Sequence, residues 1–264
     1  MKTNFRLFAV TVTLLCASLA GCFGDDETDS DEYDGPIDLI VYYDTTAGMI
    51  ETSENNGQTG PTTGVELSFD FADTTSGDGS ITTIMIEPDD GSDPVEGDPA
   101  DNAVISYTWM THGVFTVTLS AEDSEGNSHS IMVKVKIDMH IVWSDTNTAS
   151  ASMQFDATPD CEDGVPIPDR ITISSTVENP GQLFGGNSDV TWSLNNPTDE
   201  EISSSSGTLG NGASETWDYT TRDIVEGFWS LDIEVTNGDD VNVNNDVTIA
   251  YAEGAEDPTN SRPE

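Results

Sequence analysis

Basic residues are almost missing from this chain: seven Lys and Arg stand against 50 Asp and Glu in 264 residues, a net charge of −43. Such a surface repels phosphate backbones and anionic lipid headgroups, which excludes nucleic acid as a partner. It stays soluble where salt screens it, the Debye length being about 3 Å at 1 M. The composition therefore reads as that of a halophilic or marine secreted protein, with a multivalent-cation binder as the sharper alternative. Cysteine is scarce, at Cys16, Cys22 and Cys161, and no intramolecular disulfide is expected. No apolar run reaches the roughly 20 residues of a membrane-spanning helix. Histidine occurs three times, at His112, His129 and His140, with no His-Glu-x-x-His, no Cys-x-x-Cys and no Gly-x-Ser-x-Gly. The glycine-rich stretches Gly185-Gly186 and 207–212 lack the lysine and the following helix that a phosphate site needs. No enzyme is expected on these grounds, and sustained helical periodicity is absent throughout.

What is present begins with a leader. Lys2 and Arg6 precede an apolar run from Leu7 to Ala17, followed by Leu19-Ala20-Gly21-Cys22. A basic start, a short apolar core and small residues before a cut site form a secretory signal. The four-residue stretch resembles the lipobox of prokaryotic lipoproteins, bacterial or archaeal. The resemblance implies cleavage between Gly21 and Cys22, a lipid on Cys22, and a chain held at the outer face of a membrane. An ordinary secretory signal with an incidental cysteine is the alternative. Loss of Lys2 and Arg6 with the leader takes the net charge from −43 to −45, since no Asp or Glu lies in residues 1–21. Residues 22–36 are acidic and nearly devoid of apolar side chains, and read as a disordered tether.

From Ile37 the pattern becomes short alternating runs split by Gly, Asn, Asp and Pro. Leu67, Phe69 and Phe71 alternate with polar residues, as do Phe115, Val117 and Leu119, and Val133, Val135 and Ile137. Side chains on a strand alternate between faces, so each run buries one face and wets the other. Lys134 and Lys136 lie between the apolar residues of the last run and read as guards on an exposed sheet edge. A second series follows, in Ile171, Ile173 and Val177, in Val190, Trp192 and Leu194, and in Trp229, Leu231, Ile233 and Val235. Cys161 sits between Asp160 and Glu162, whose charges disfavour a thiolate, so it reads as a spare thiol.

The run Phe69-Asp70-Phe71-Ala72 leading to Gly77-Asp78-Gly79-Ser80-Ile81 resembles the PKD-type immunoglobulin-like domain. So do Val104 to Trp109, Gly113 to Leu119 and the turn Asp123-Ser124-Glu125-Gly126-Asn127. Ile84 to Gly91 stands where that family carries a tryptophan-containing strand, a departure that marks a divergent member. The resemblance covers 37–138 and implies a β-sandwich used for spacing or binding. Thr176-Val177-Glu178-Asn179-Pro180-Gly181, residues 207–215 and Val243 to Val247 resemble the adhesion-related CARDB-type domain, which implies a second sandwich over 139–252. The expected architecture is therefore all-β: two immunoglobulin-like sandwiches in tandem after signal and tether, with a loose polar tail over 253–264.

Calcium is the one cofactor with a candidate ligand set, since it takes six to eight oxygens. Three acidic turns offer them: Asp73 with Asp78, Asp89 and Asp90 with Asp93, and Asp123 with Glu125. Asp and Asn also bond their own backbone in turns, which accounts for the same residues without a metal. A fourth stretch, Asp240 to Asn244, opens like an EF-hand but has Asn245 at the obligatory glycine and Tyr251 at the bidentate glutamate. The function expected is that of a non-enzymatic cell-surface lipoprotein, an adhesion, binding or spacer module for a polysaccharide or protein. The alternative is an accessory subunit of an envelope transport or secretion complex.

Overall fold

A computed structural model describes residues 33–263 except 162, 163 and 165. The lipidation and cleavage positions Cys22 and Gly21, and most of the tether, lie outside the described residues. Gly35–Glu264 forms one compact unit. Its first strands are β1 (Ile37–Asp38), β2 (Ala47–Asn55), β3 (Gln58–Thr59), β4 (Val65–Asp70), β5 (Thr75–Ser76), β6 (Ile81–Glu87), β7 (Val95–Gly97), β8 (Val104–Trp109) and β9 (Gly113–Asp123). There follow β10 (Ser128–Thr148), β11 (Ser150–Asp156), β12 (Arg170–Glu178), β13 (Ser188–Asn195), β14 (Glu201–Leu209), β15 (Ser214–Thr221), β16 (Phe228–Asn237) and β17 (Val241–Ala250). The described residues are all-β, two immunoglobulin-like sandwiches in tandem.

The two sandwiches share one sheet. Its main path runs β15-β12-β17-β10-β9-β6-β7, with β2 added in parallel to β10 and β3 paired to β2. Within β10, residues 128–137 pair with β9 and residues 139–148 pair with β17. The join expected at 138/139 thus falls inside one 21-residue strand. The sequence explains why the strand does not break. No Gly or Pro occurs from 128 to 148, and Ile131, Val133, Val135, Ile137, Met139, Ile141 and Trp143 keep one unbroken alternation. One face of β10 therefore feeds both cores.

Against that face, β4 and β8 close the first core around Phe69, Trp109 and Phe115. The four-stranded sheet β11-β16-β13-β14 closes the second around Trp192, Trp229 and Ile249. Met139 packs against both cores. The segment after β11 stitches them further, with Ala157 in the second core and Cys161 buried in the first. Inside the second core, Trp192 Nε1 donates to Ser175 Oγ at 2.9 Å, and Ser175 Oγ donates to Asn245 Oδ1 at 2.6 Å.

Two expectations are corrected here. The lysines of β10 do not guard a free edge, because β9 pairs with both on one side, β2 begins pairing at Lys136 on the other, and Lys136 pairs with Glu256 at 2.9 Å. Nor is 253–264 loose along its described length. Asp257 takes both backbone groups of Lys134, donating its N–H to the carbonyl (3.0 Å) and accepting the Lys134 N–H on Oδ2 (2.9 Å). Asn260 exchanges backbone hydrogen bonds with Tyr43, and Arg262 reaches Asp73 at 3.2 Å. A polar composition hid this because the tail binds backbone edges and carboxylates, not a core.

Candidate functional site

The best-formed concavity, about 440 Å³, opens where the two sandwiches meet. β10 supplies its floor through Met139, Ile141 and Trp143, β11 supplies Met153 and Phe155, and the β8–β9 turn supplies Met110 and His112. Glu54 on β2, with Asp156 at the end of β11 and Asp160 beyond it, gives the rim its carboxylates. Trp143 is 6 % exposed, and its indole N–H donates to Glu54 Oε1 at 3.1 Å. Met110 is half exposed at the mouth. It lies over Gly64, where a Cβ would come within 2.4 Å of its sulfur. A flexible thioether wall over an aromatic floor adapts to varied apolar shapes.

His112 is a fastening of this cleft rather than a reactive group. Its Nε2 meets the Asp156 carbonyl at 3.1 Å, and a carbonyl only accepts, so Nε2 carries the hydrogen. Nδ1 is then the acceptor for the Tyr251 hydroxyl at 2.8 Å. The His112 carbonyl accepts the Asp160 N–H at 3.1 Å. Burial lowers the His112 pKa below its ordinary value and raises that of Tyr251, which keeps both neutral. Near the cleft, the Asp145 pKa is raised from its ordinary value, through burial first and the Glu54 charge second. In the sequence His112 is one of three scattered histidines and Tyr251 a failed calcium position; they lie 139 residues apart, and no local signal joins them.

The acidic turns stay apart. Asp123 is buried and accepts from Ser76 Oγ at 2.6 Å, from Asn127, and from the Glu125 N–H. These bonds, those from Ser76 and Asn127 foremost, hold its pKa at about 2. Glu125 itself is exposed. Asp89 Oδ2 accepts the Thr116 N–H at 2.6 Å, and Asp90 accepts the Tyr107 hydroxyl at 2.6 Å. Asp93 lies exposed in the turn before β7, Asp73 pairs with Arg262, and Asp78 donates its N–H to Ser76 Oγ. Among the described residues no group of three or more His, Cys, Asp or Glu is placed to hold a metal ion. The EF-hand-like stretch from Asp240 runs into strand β17, not a loop. Of the other histidines, His140 meets Asp246 at 3.1 Å, and His129 meets the Ile37 carbonyl at 3.2 Å.

Comparison with known proteins bears on the first sandwich. Residues 52–137 match the family model of the PKD domain. This match ends within β10, so the PKD-like sandwich shares its last strand with its neighbour. No curated protein matches the chain. Among solved structures, a carbohydrate-binding module of the β-sandwich superfamily is 15 % identical, with 83 % of this chain and 98 % of that one covered, at a TM-score of 0.30. A Bacillus endospore appendage protein is 13 % identical over 44 % of this chain and 86 % of its own, at 0.24. A Bacteroides uniformis β-glucuronidase is 11 % identical over 84 % of this chain and 30 % of its own, at 0.27. These scores are too low to carry shared topology, and the sandwich architecture rests on the strand pairings above.

Proposed function

We propose that this is a non-catalytic binding module of the cell surface, anchored through a lipid on Cys22 and receiving a protein segment in the cleft between its sandwiches. The leader ending in Leu19-Ala20-Gly21-Cys22 supports the anchorage. The single observation that carries the binding reading is the cleft itself, with an apolar floor of Met139, Ile141 and Trp143 and Met110 at its mouth, under a carboxylate rim. That pairing suits an apolar side chain flanked by lysine or arginine. It suits a sugar poorly, because Trp143 and Phe155 are 6 % and 3 % exposed and turn no open ring face outward for stacking. Both ring nitrogens of His112 are engaged, which favours binding over proton transfer. On this reading the second sandwich is a CARDB-like adhesion module, and β10 makes the pair a stiff spacer.

The test is a peptide array and a glycan array probed with the full chain in 0.15 M and 1 M salt. Peptides with apolar residues beside Lys or Arg should bind, and Met110→Glu should abolish that binding while leaving the melting temperature unchanged. Glycan binding without peptide binding overturns the reading. Anchorage is tested separately: Cys22→Ala should release the chain from the membrane fraction, and retention there removes the lipid.

A further inference from the structure

Independently of the cleft, we infer that Leu183 and Phe184 form a rigid docking finger at the pole of the molecule opposite Ile37, inserted into an apolar pocket of a protein whose rim carries lysine or arginine. Leu183 is 91 % and Phe184 96 % exposed, next to each other at the tip of the β12–β13 loop. Single apolar residues on a surface need no explanation, but two adjacent large ones fully in water do.

The loop is held in this pose from both sides. Buried Asn179 donates through Nδ2 to the Gly186 carbonyl at 3.0 Å and to the Leu209 carbonyl at 3.2 Å. Asn211, from the β14–β15 turn, accepts the Gln182 N–H and donates to the Gln182 carbonyl, both at 2.8 Å. Asp239, from the β16–β17 turn, accepts the Gly186 N–H at 2.7 Å. Gly238 in that same turn has φ +111°, and a Cβ there would lie 2.1 Å from the Asn187 carbonyl oxygen. Three loops are therefore interlocked under the tip. A side chain presented by a fixed backbone loses little freedom on binding, which is what a buried anchor residue requires.

The position is equally defined. β10 begins beside Ile37, whose carbonyl meets His129, and ends at Thr148, which pairs with Val241 next to the Asp239 turn. Its 21 residues set an upper limit of about 65 Å on the separation of the two ends. The chemistry of the partner follows from charge. From Ile171 to Thr221 and from Asp223 to Ser261 no Lys or Arg occurs, while Glu178, Asp189, Glu215, Asp239 and Asp240 belong to the strand ends and turns of this pole. An apolar tip among carboxylates selects a pocket with a cationic rim. A second copy of this chain or an anionic membrane meets it with charge of the same sign.

The experiment places the photo-crosslinker benzoylphenylalanine at position 184 of the full-length chain in its native cells, and sequences the crosslinked peptides. The expected result is a peptide of another protein in which apolar residues neighbour Lys or Arg. The purified partner should then bind at least 30-fold more weakly to Leu183→Ser/Phe184→Ser, with an unchanged melting temperature, and at least 10-fold more weakly in 1 M than in 0.1 M salt. Met110→Glu should bind that partner like the parent chain, which separates a failure of the finger from a failure of the cleft. Crosslinks only to another copy of the chain, only to lipid, only to peptides without a cationic neighbour, or to nothing overturn the inference. So does undiminished affinity of the double variant. Binding to phosphatidylglycerol vesicles that is lost in the double variant overturns it in favour of a membrane.

Discussion

The Tyr251 hydroxyl donates to His112 Nδ1 at 2.8 Å, tying the first residue after β17 to the turn between β8 and β9. The bond joins the second sandwich to the first, and the Tyr251 N–H adds a second tie by donating to Asp138 Oδ1 at 2.9 Å. Replacing Tyr251 by Phe leaves Nδ1 buried without its donor. That should cost about 1–3 kcal/mol, read as a shift of the urea midpoint at constant slope.

The same imidazole makes stability depend on pH. Its folded pKa is depressed, burial outweighing the opposing pull of Asp156, Asp160 and Asp138. The unfolded chain therefore takes up the proton first. The contribution of His112 is intact above about pH 6.5 and is lost as pH falls below that value. Thermal melts of the parent between pH 7.5 and 5 should show this loss. His112→Gln should melt lower at pH 7.5 and show a flatter profile.

Asp123 acts in a lower window. Its pKa of about 2 lies beneath the ordinary carboxylate value, so its stabilisation is full above about pH 4 and disappears as pH falls toward 2. Asp123→Asn should be less stable than the parent at pH 6. The gap between the two melting temperatures should close as the pH approaches 2.

The polar pair inside the second core is sensitive to a single oxygen. Ser175→Ala strands both the Trp192 indole N–H and Asn245 Oδ1 in a site where Asn245 Nδ2 already lacks a hydrogen-bond partner. A loss of about 2–4 kcal/mol is expected, measured by denaturant unfolding. Asn245 is fully buried, facing inward between Val243 and Val247.

Removal of residues 255–264 should uncover the backbone of Lys134 and Tyr43 and leave Lys136 without Glu256. The expected loss is about 2 kcal/mol, near 4–8 °C in melting temperature. Hydrogen exchange should be faster at the Tyr43 and Lys134 amides than in the parent.

What could be read from the sequence was whatever repeats every two residues. Phe69, Phe115, Val135, Trp192 and Leu231 are all buried where the alternation placed them. Alternation is a local property and survives without knowledge of partners. Pairing between distant segments is not local. Lys134 and Lys136 looked like edge guards because their sequence cannot show that β2 returns alongside and that Asp257 takes the remaining edge. Asn245 stands in the sequence only as a misfit at an EF-hand glycine position; its place opposite Ser175 makes it a core residue. Phe184 carried no periodic signal, lying in a Gly-rich loop. One clue is legible: no Gly or Pro interrupts 128–148 and the apolar alternation runs through Asp138, so nothing in this stretch breaks the strand at 138/139.

That uninterrupted strand restricts how such a protein can be inherited. Modules joined by a linker can be shuffled, multiplied or lost one at a time. Here a recombination point at 138/139 would leave each product with half a ribbon and a raw margin open to aggregation. The pair is thus expected to travel through genomes as an indivisible cassette, gaining or shedding neighbours only outside residues 35–264.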